Sequence, residues 1–233
     1  RSSECEDRRS SLSFACYPFA PKRSLPGSNE PMGKLFGTDG IRGRAYETPL
    51  DRSTVAKVGL ALAENLGKAK PRILIGRDTR ESGPDLEAWL RAGIGAGGGE
   101  VGSAGILPTP AIAHLVASER WDAGVVLSAS HNPHHDNGIK IFDARGIKSS
   151  EELENLIEQE VLSTKKPIET PSTRADPDPR LETSYMDHLL TSLGEVSSSI
   201  PPLKIALDCA NGAGYRVGPA LLERLGLSFV THA

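Results

Sequence analysis

From Met32 onward, short apolar runs alternate with stretches whose apolar residues recur every three to four positions. That alternation restricts the chain to an α/β layered fold. Residues 51–67 set Val55, Val58, Leu62 and Leu66 on one helical face, with Asp51 or Ser53 as cap and Gly67 as stop. Residues 72–76 form an apolar run behind Pro71, suited to a buried strand. Residues 84–96 read as a helix carrying Leu86, Trp89, Leu90 and Ile94, and residues 100–106 as a strand. Thr109 is expected to cap a helix with Pro110 at its first position. Residues 123–127 and 138–142 read as strands, and Ser149 with Glu152 as the capping box of a helix bearing Leu153, Leu156, Ile157 and Val161. The expected architecture is an α/β/α layered domain with a mainly parallel mixed sheet, followed by the start of a second similar domain.

The expected divisions are 1–31, 32–165, 166–180 and 181–233. Residues 1–31 are rich in Ser, Arg and Pro and carry no period, so they read as a disordered or mis-assigned extension upstream of Met32. A transit peptide is the alternative, against which stand Glu4, Glu6 and Asp7. Pro167, Pro171, Pro177 and Pro179 among polar neighbours give residues 166–180 the chemistry of a linker. Beyond it a helix (181–193), a strand (203–207), a helix (215–225) and a strand start (227–230) follow, too little for a doubly wound domain. The piece therefore reads as a fragment of a longer protein.

With 27 Lys and Arg against 30 Asp and Glu, the chain has no general electrostatic grip on nucleic acid or anionic lipid. No apolar run reaches the 18 residues of a membrane span. Three cysteines, Cys5, Cys16 and Cys209, are too few and too oddly numbered for a disulfide framework, which fits a cytoplasmic protein. Cys209 reads as a small buried filler.

Three segments carry unusual polar density. Phe36-Gly-Thr-Asp-Gly-Ile-Arg-Gly43 reads as a tight turn whose backbone can approach a ligand and whose Arg42 can hold an anion. Gly76-Arg-Asp-Thr-Arg80 follows a strand at the end where parallel sheets place ligands. There Arg77 is a candidate phosphate contact; the plainer reading has Arg77 and Asp78 in turn contacts and Arg80 in solvent. Leu127-Ser-Ala-Ser-His-Asn-Pro133, continuing through Asp136-Asn-Gly-Ile-Lys140, delivers a serine beside a histidine, with a lysine on the following strand. Gly-x-Ser-x-Gly is absent, so this is no hydrolase elbow. His131, His134 and His135 lack the spacing of a transition-metal site.

These segments, with Asp208-Cys-Ala-Asn-Gly-Ala-Gly214, occur in an order and spacing that closely resemble the α-D-phosphohexomutase family. The resemblance runs from Met32 to the end. It implies an enzyme, an isomerase that transfers a phosphoryl group within a sugar phosphate through a phosphoserine and a bisphosphorylated intermediate. The forms of the first and third segments favour the branch acting on glucosamine phosphate, which feeds UDP-N-acetylglucosamine and peptidoglycan. Mannose and glucose phosphates are the alternative, and a non-catalytic phosphosugar-binding piece a further one. By position Ser130 corresponds to the phosphoserine, although nothing in composition excludes Ser128. Arg42 and Lys140 are the expected phosphate-binding and catalytic cations, with Lys140 also able to shuttle a proton. His131 is expected to orient the loop, with proton transfer as the alternative. The implied cofactor is Mg²⁺, held through the phosphate on Ser130, with its remaining carboxylate ligands expected beyond residue 233. The expected partner is a phosphosugar; no nucleic acid or membrane is implied.

Limited proteolysis is expected to cut residues 1–31 or 163–180 first. Early cuts within 123–142 and a resistant 163–180 would contradict the division.

Overall fold

The computed structural model describes residues 35–165, 167–169, 174–194 and 203–232; the N-terminal stretch 1–31 lies outside them. The element order is β1 (Ile41–Arg44), α1 (Arg52–Asn65), β2 (Arg72–Arg77), α2 (Gly83–Ala96), β3 (Glu100–Ile106), α3 (Thr109–Ser118), β4 (Ala123–Leu127), β5 (Asp136–Asp143), α4 (Glu151–Ser163), α5 (Pro179–Leu193), β6 (Lys204–Asp208), α6 (Val217–Arg224) and β7 (Ser228–His232).

The first five strands form one sheet in the order β1-β5-β4-β2-β3. β2 pairs parallel with β3 and β4, while β5 runs antiparallel between β4 and β1. Four strands therefore point one way and β5 the other, a mainly parallel mixed sheet. Side chains alternate across it as a pleated strand requires. Ile73, Ile75, Val125 and Leu127 join one apolar cluster with α1, α2 and α4. Leu74 and Val126 join the other, with α3 and α5. Gly76 and Gly124 lie under α3, where a Cβ would come within 2.3 Å of Ile112 and 2.5 Å of Val116, so their lack of a side chain lets that helix settle on the sheet.

Local signals explain most boundaries. Asp51 caps α1, Oδ1 accepting from the backbone N–H of Ser53 and Thr54 at 3.0 and 3.1 Å. Burial tends to raise the Asp51 pKa, but hydrogen bonds from Thr54, Thr48 and Ser53 outweigh it and hold the carboxyl below its usual range. Four expectations are corrected. Residues 41–44 are not part of a turn but an edge strand, because their backbone groups find partners on β5. Thr109 is the first helical residue and Pro108 the cap, since Pro108 holds the extended conformation that precedes a helix. The cap of α4 is Ser150, whose Oγ accepts from Leu153 N at 3.3 Å, while the Ser149 hydroxyl is spent on Glu154. Cys209 is only half-buried, since the strand before it has one exposed face and no fully buried residue on the other.

Near the proline segment, the Asp178 N–H donates to the Ser103 carbonyl at 2.9 Å and Asp178 caps α5. Leu181, Tyr185 and Met186 then bury α5 against α3 and β3. The parallel pair β6–β7 has no buried residue.

α1 and α2 cross at a reciprocal pair of glycines. A Cβ at Gly93 would lie 1.8 Å from the Ala56 carbonyl oxygen, and one at Gly59 would lie 2.3 Å from that of Leu90. Overpacking of this kind costs about 1–3 kcal/mol, whereas Gly95, on the same helix, would meet nothing within 4 Å. Urea denaturation is expected to show Gly93→Ala destabilised and Gly95→Ala stabilised by about 0.5–1 kcal/mol. Equal effects would refute the crossing.

On the other face the His114 and His188 rings stack 3.6 Å apart, joining α3 to α5. Burial and then the proximity of His188 push the His114 pKa down, with Glu119 opposing. The unfolded chain thus takes up this proton first, so the stability linked to His114 is full above pH ~6.5 and is lost as pH falls through and below that value. The urea midpoint should fall between pH 7.5 and 5.5, and His114→Gln should flatten the fall.

Candidate functional site

In the parallel register of β2 and β4, Arg77 stands opposite Leu127. The segments leaving both strands therefore emerge side by side, at the sheet end where α/β folds place ligands. They remain joined beyond the strands, for the Asp78 N–H donates to the Leu127 carbonyl at 3.1 Å.

Ser128 and Ser130 differ sharply. The Ser128 hydroxyl donates to Asp78 Oδ2 at 2.7 Å and accepts from the Ser130 N–H at 3.0 Å. Ser130 is exposed, and among the described residues its hydroxyl has no protein partner. Its backbone is left-handed, φ 56°, which costs a residue with a Cβ about 1 kcal/mol. That cost is met by the loop's hydrogen bonds.

The chief of these come from Arg80. Its Nε donates to Asp78 at 3.0 Å. Nη1 donates to the carbonyls of Pro133 and Asp136, the latter at 2.9 Å, and Nη2 to those of Ser130 and Asn132 at 2.8 and 2.9 Å. The Arg80 side chain is 9% exposed, so the reading that leaves it in solvent is corrected. The loop's carbonyls and Asp78 desolvate it and replace its water.

Arg42 reaches the same loop from β1, Nη1 donating to Asn132 Oδ1 at 3.2 Å and Nη2 to Asp39 at 2.8 Å. Its buried Nε has no partner among the described residues. Lys140, on β5, stands 3.7 Å from the other oxygen of Asp39, so one exposed carboxylate bridges the two cations. His131 is exposed beside Ser130, with no hydrogen-bond partner among the described residues. Arg77 sits apart. Its Nε donates to the buried Glu87 at 3.2 Å, and its side chain packs beneath Gly83 in α2.

Ser130, His131, Asn132 and Arg80 line a cavity of about 1080 Å³ together with Arg44, Arg174 and Ala210–Gly212. The turn after β6 is thus brought to the same place, and the Thr79 hydroxyl donates to the Asn211 carbonyl. Arg42, Lys140 and Arg77 lie outside this lining. Sequence reasoning missed Arg80, because, apart from Asp78 two positions away, its acceptors are carbonyls about fifty residues away.

The model of the phosphoglucomutase/phosphomannomutase α/β/α domain I matches residues 33–167. The chain belongs to the phosphoglucomutase/phosphomannomutase family. It is 44% identical over 205 residues to a phosphoglucosamine mutase of Thermodesulfovibrio yellowstonii, spanning 85% of this chain and 45% of that one. It is 46% identical over 200 residues to that of Syntrophobacter fumaroxidans, covering 84% and 44%. The chain of this family member thus spans less than half the length of the curated relatives it matches. The fold is shared with a Burkholderia thailandensis protein of the same family (TM-score 0.67, 24% identity, 85% and 43% covered). It is shared also with the phosphoglucomutase parafusin of Paramecium (TM-score 0.67, 19% identity, 86% and 43% covered). Among the described residues, no helix is long and apolar enough to cross a membrane.

Removing Asp78 would leave Arg80 without its counter-charge and Ser128 without its acceptor. Breaking a buried pair from one side costs about 3 kcal/mol or more. Asp78→Ala is expected to lose about that much in urea denaturation, and a loss below about 1 kcal/mol would show the pair to be dispensable.

Proposed function

We propose that this chain is the phosphoserine-bearing part of a phosphoglucosamine mutase, interconverting glucosamine 6-phosphate and glucosamine 1-phosphate. The observation that carries the reading is Ser130: an exposed hydroxyl with no partner among the described residues, on a loop whose backbone is fixed, beside a cavity large enough for a hexose phosphate. The 42–46% identity to phosphoglucosamine mutases supports the choice of sugar.

In this reading Ser130 carries a phosphoryl group, gives it to one sugar oxygen and takes the other phosphate back after the bisphosphorylated intermediate reorients. A phosphoserine carries about −1.5 to −2 charges at neutral pH, so transfer depends on cations and aligned donors. Lys140 and Arg42 are the candidates for that neutralisation, and both are shared with Asp39. Arg42 has a second role in supporting Asn132. His131, with no carboxylate or carbonyl among the described residues to orient it, is better suited to meet substrate than to brace the loop. Arg77 contributes through α2, its charge being spent on Glu87.

Mg²⁺ is the counter-ion expected for such chemistry, as a hard, oxygen-seeking cation. Among the described residues there is no cluster of three or more His, Cys, Asp or Glu able to hold a metal. Ser130 alone is not a metal site, so no step here is routed through the ion.

Phosphopeptide mapping of the full-length gene product should find phosphate on Ser130, and Ser130→Ala should abolish activity. Phosphate mainly on Ser128, with activity surviving Ser130→Ala, would sink the assignment. Residues 32–233 alone, assayed for glucosamine 1-phosphate with Mg²⁺ and a bisphosphorylated sugar, should turn over at least about 100-fold more slowly than a full-length relative, since the chain spans less than half of the relatives it matches and loss of one positioned electrostatic element costs about that much. Turnover within about tenfold would overturn the view that this part is incomplete.

A further inference from the structure

We propose that Arg80, held by Asp78, is the positioning residue of the reactive serine, fixing the Ser130 backbone without itself binding phosphate. The inference rests on the reading that Ser130 carries the phosphoryl group. A guanidinium has five N–H donors in a planar fork, and every one of them is used. Nε serves Asp78, and the other four serve the carbonyls of Ser130, Asn132, Pro133 and Asp136. No donor is left over for a substrate phosphate, and the charge is already matched by the Asp78 carboxylate.

Asp78 ties this clamp to a second one. The same oxygen that accepts from Arg80 Nε also accepts from the Ser128 hydroxyl, which in turn accepts the Ser130 N–H. Both backbone polar groups of Ser130 are therefore held, the N–H through Ser128 and the carbonyl by Arg80. A left-handed residue fixed at both of its peptide groups retains mainly side-chain freedom. That is what in-line transfer requires of a group that must give and later retake a phosphoryl unit, since a displacement of about 1 Å can cost 100-fold in rate. Lysine offers three donors from a point charge and cannot span four carbonyls.

The test compares Arg80→Ala and Arg80→Lys with the unaltered protein, in two measurements. Hydrogen exchange on the present chain should show amides 129–136 exchanging at least tenfold faster in both variants, a larger increase than any in β2, β3 and α1. Steady-state kinetics on the full-length gene product with glucosamine phosphate should show kcat reduced about 100-fold in Arg80→Ala and about tenfold in Arg80→Lys, with KM within about threefold. If Arg80→Ala does not fold, Arg80→Lys decides by the same two readings. Unchanged loop exchange overturns the proposal, as does a loosened loop with unchanged kcat. A raised KM at constant kcat overturns it in favour of a phosphate ligand. An unaltered full-length protein that forms no glucosamine 1-phosphate overturns the functional reading and the positioning role with it. The exchange comparison, which needs no turnover, tells that failure from a failure of the clamp.

Discussion

The buried charge of Arg80 is the constraint on which the site depends. Taking a guanidinium and a carboxylate out of water costs several kcal/mol per ion, and the cost is offset only when the remaining donors and acceptors are satisfied. Here the acceptors are main-chain carbonyls of a loop that has little else to hold it. Between Ser128 and Asp136 only Ala129 is buried, and Ser130, His131, Pro133, His134 and His135 are exposed. A loop without an apolar anchor takes its conformation from polar bonds, so the ion must be in place for the loop to be ordered. The converse also holds, because without those carbonyls Arg80 would be buried unsatisfied. Ion and loop are two halves of one unit.

That unit stands on the sheet. Asp78 and Ser128 meet because β2 and β4 are parallel neighbours in a register that pairs Arg77 with Leu127. The register is set by the apolar pattern on both faces, since a slip of one residue would turn Ile73, Ile75, Val125 and Leu127 away from α1 and α2. The glycines at the α1–α2 crossing and beneath α3 set how closely the helical layers cover the sheet. Packing far from Ser130 thus fixes the place where its loop begins.

What was legible in the sequence follows from this division. Strands and helices with a strong period could be read to within a residue or two, because the apolar pattern that marks them is also what buries them. Residues 41–44 were not legible as a strand. Their pattern is glycine-rich and charged, and their pairing depends on β5, some ninety residues away. Arg42, Lys140 and Ser130 were found through a motif resemblance, and the structure draws Arg42 to the serine loop through Asn132 and Ala129. Arg77 and Arg80 show the limit of reading a charged turn. Two arginines three positions apart are alike in local sequence, yet Arg77 is turned into α2 while Arg80 lies beneath the loop. Only the distant partner, Glu87 for one and the loop carbonyls for the other, distinguishes them.

The choice between Ser128 and Ser130 turns on the same kind of fact. Along an extended strand, residues two apart face the same way, so alternation alone would give both hydroxyls similar surroundings. The left-handed turn at Ser130 breaks that equivalence. Before the turn, Ser128 is still within reach of Asp78, and its hydroxyl is committed as donor and acceptor at once. After it, Ser130 has left the shelter of the strand, and its hydroxyl has no partner among the described residues. A nucleophile must hold its lone pair free and its backbone fixed, and a serine on a regular strand end rarely meets both conditions, because the groups that would fix it also compete for its oxygen. In the proposed function the two tasks are divided between two serines. Ser128 gives up its hydroxyl to hold the backbone, and Ser130 keeps its own. Phosphorylating Ser128 instead would break the link from Asp78 to the Ser130 N–H and bring a dianion against a carboxylate 2.7 Å from its oxygen.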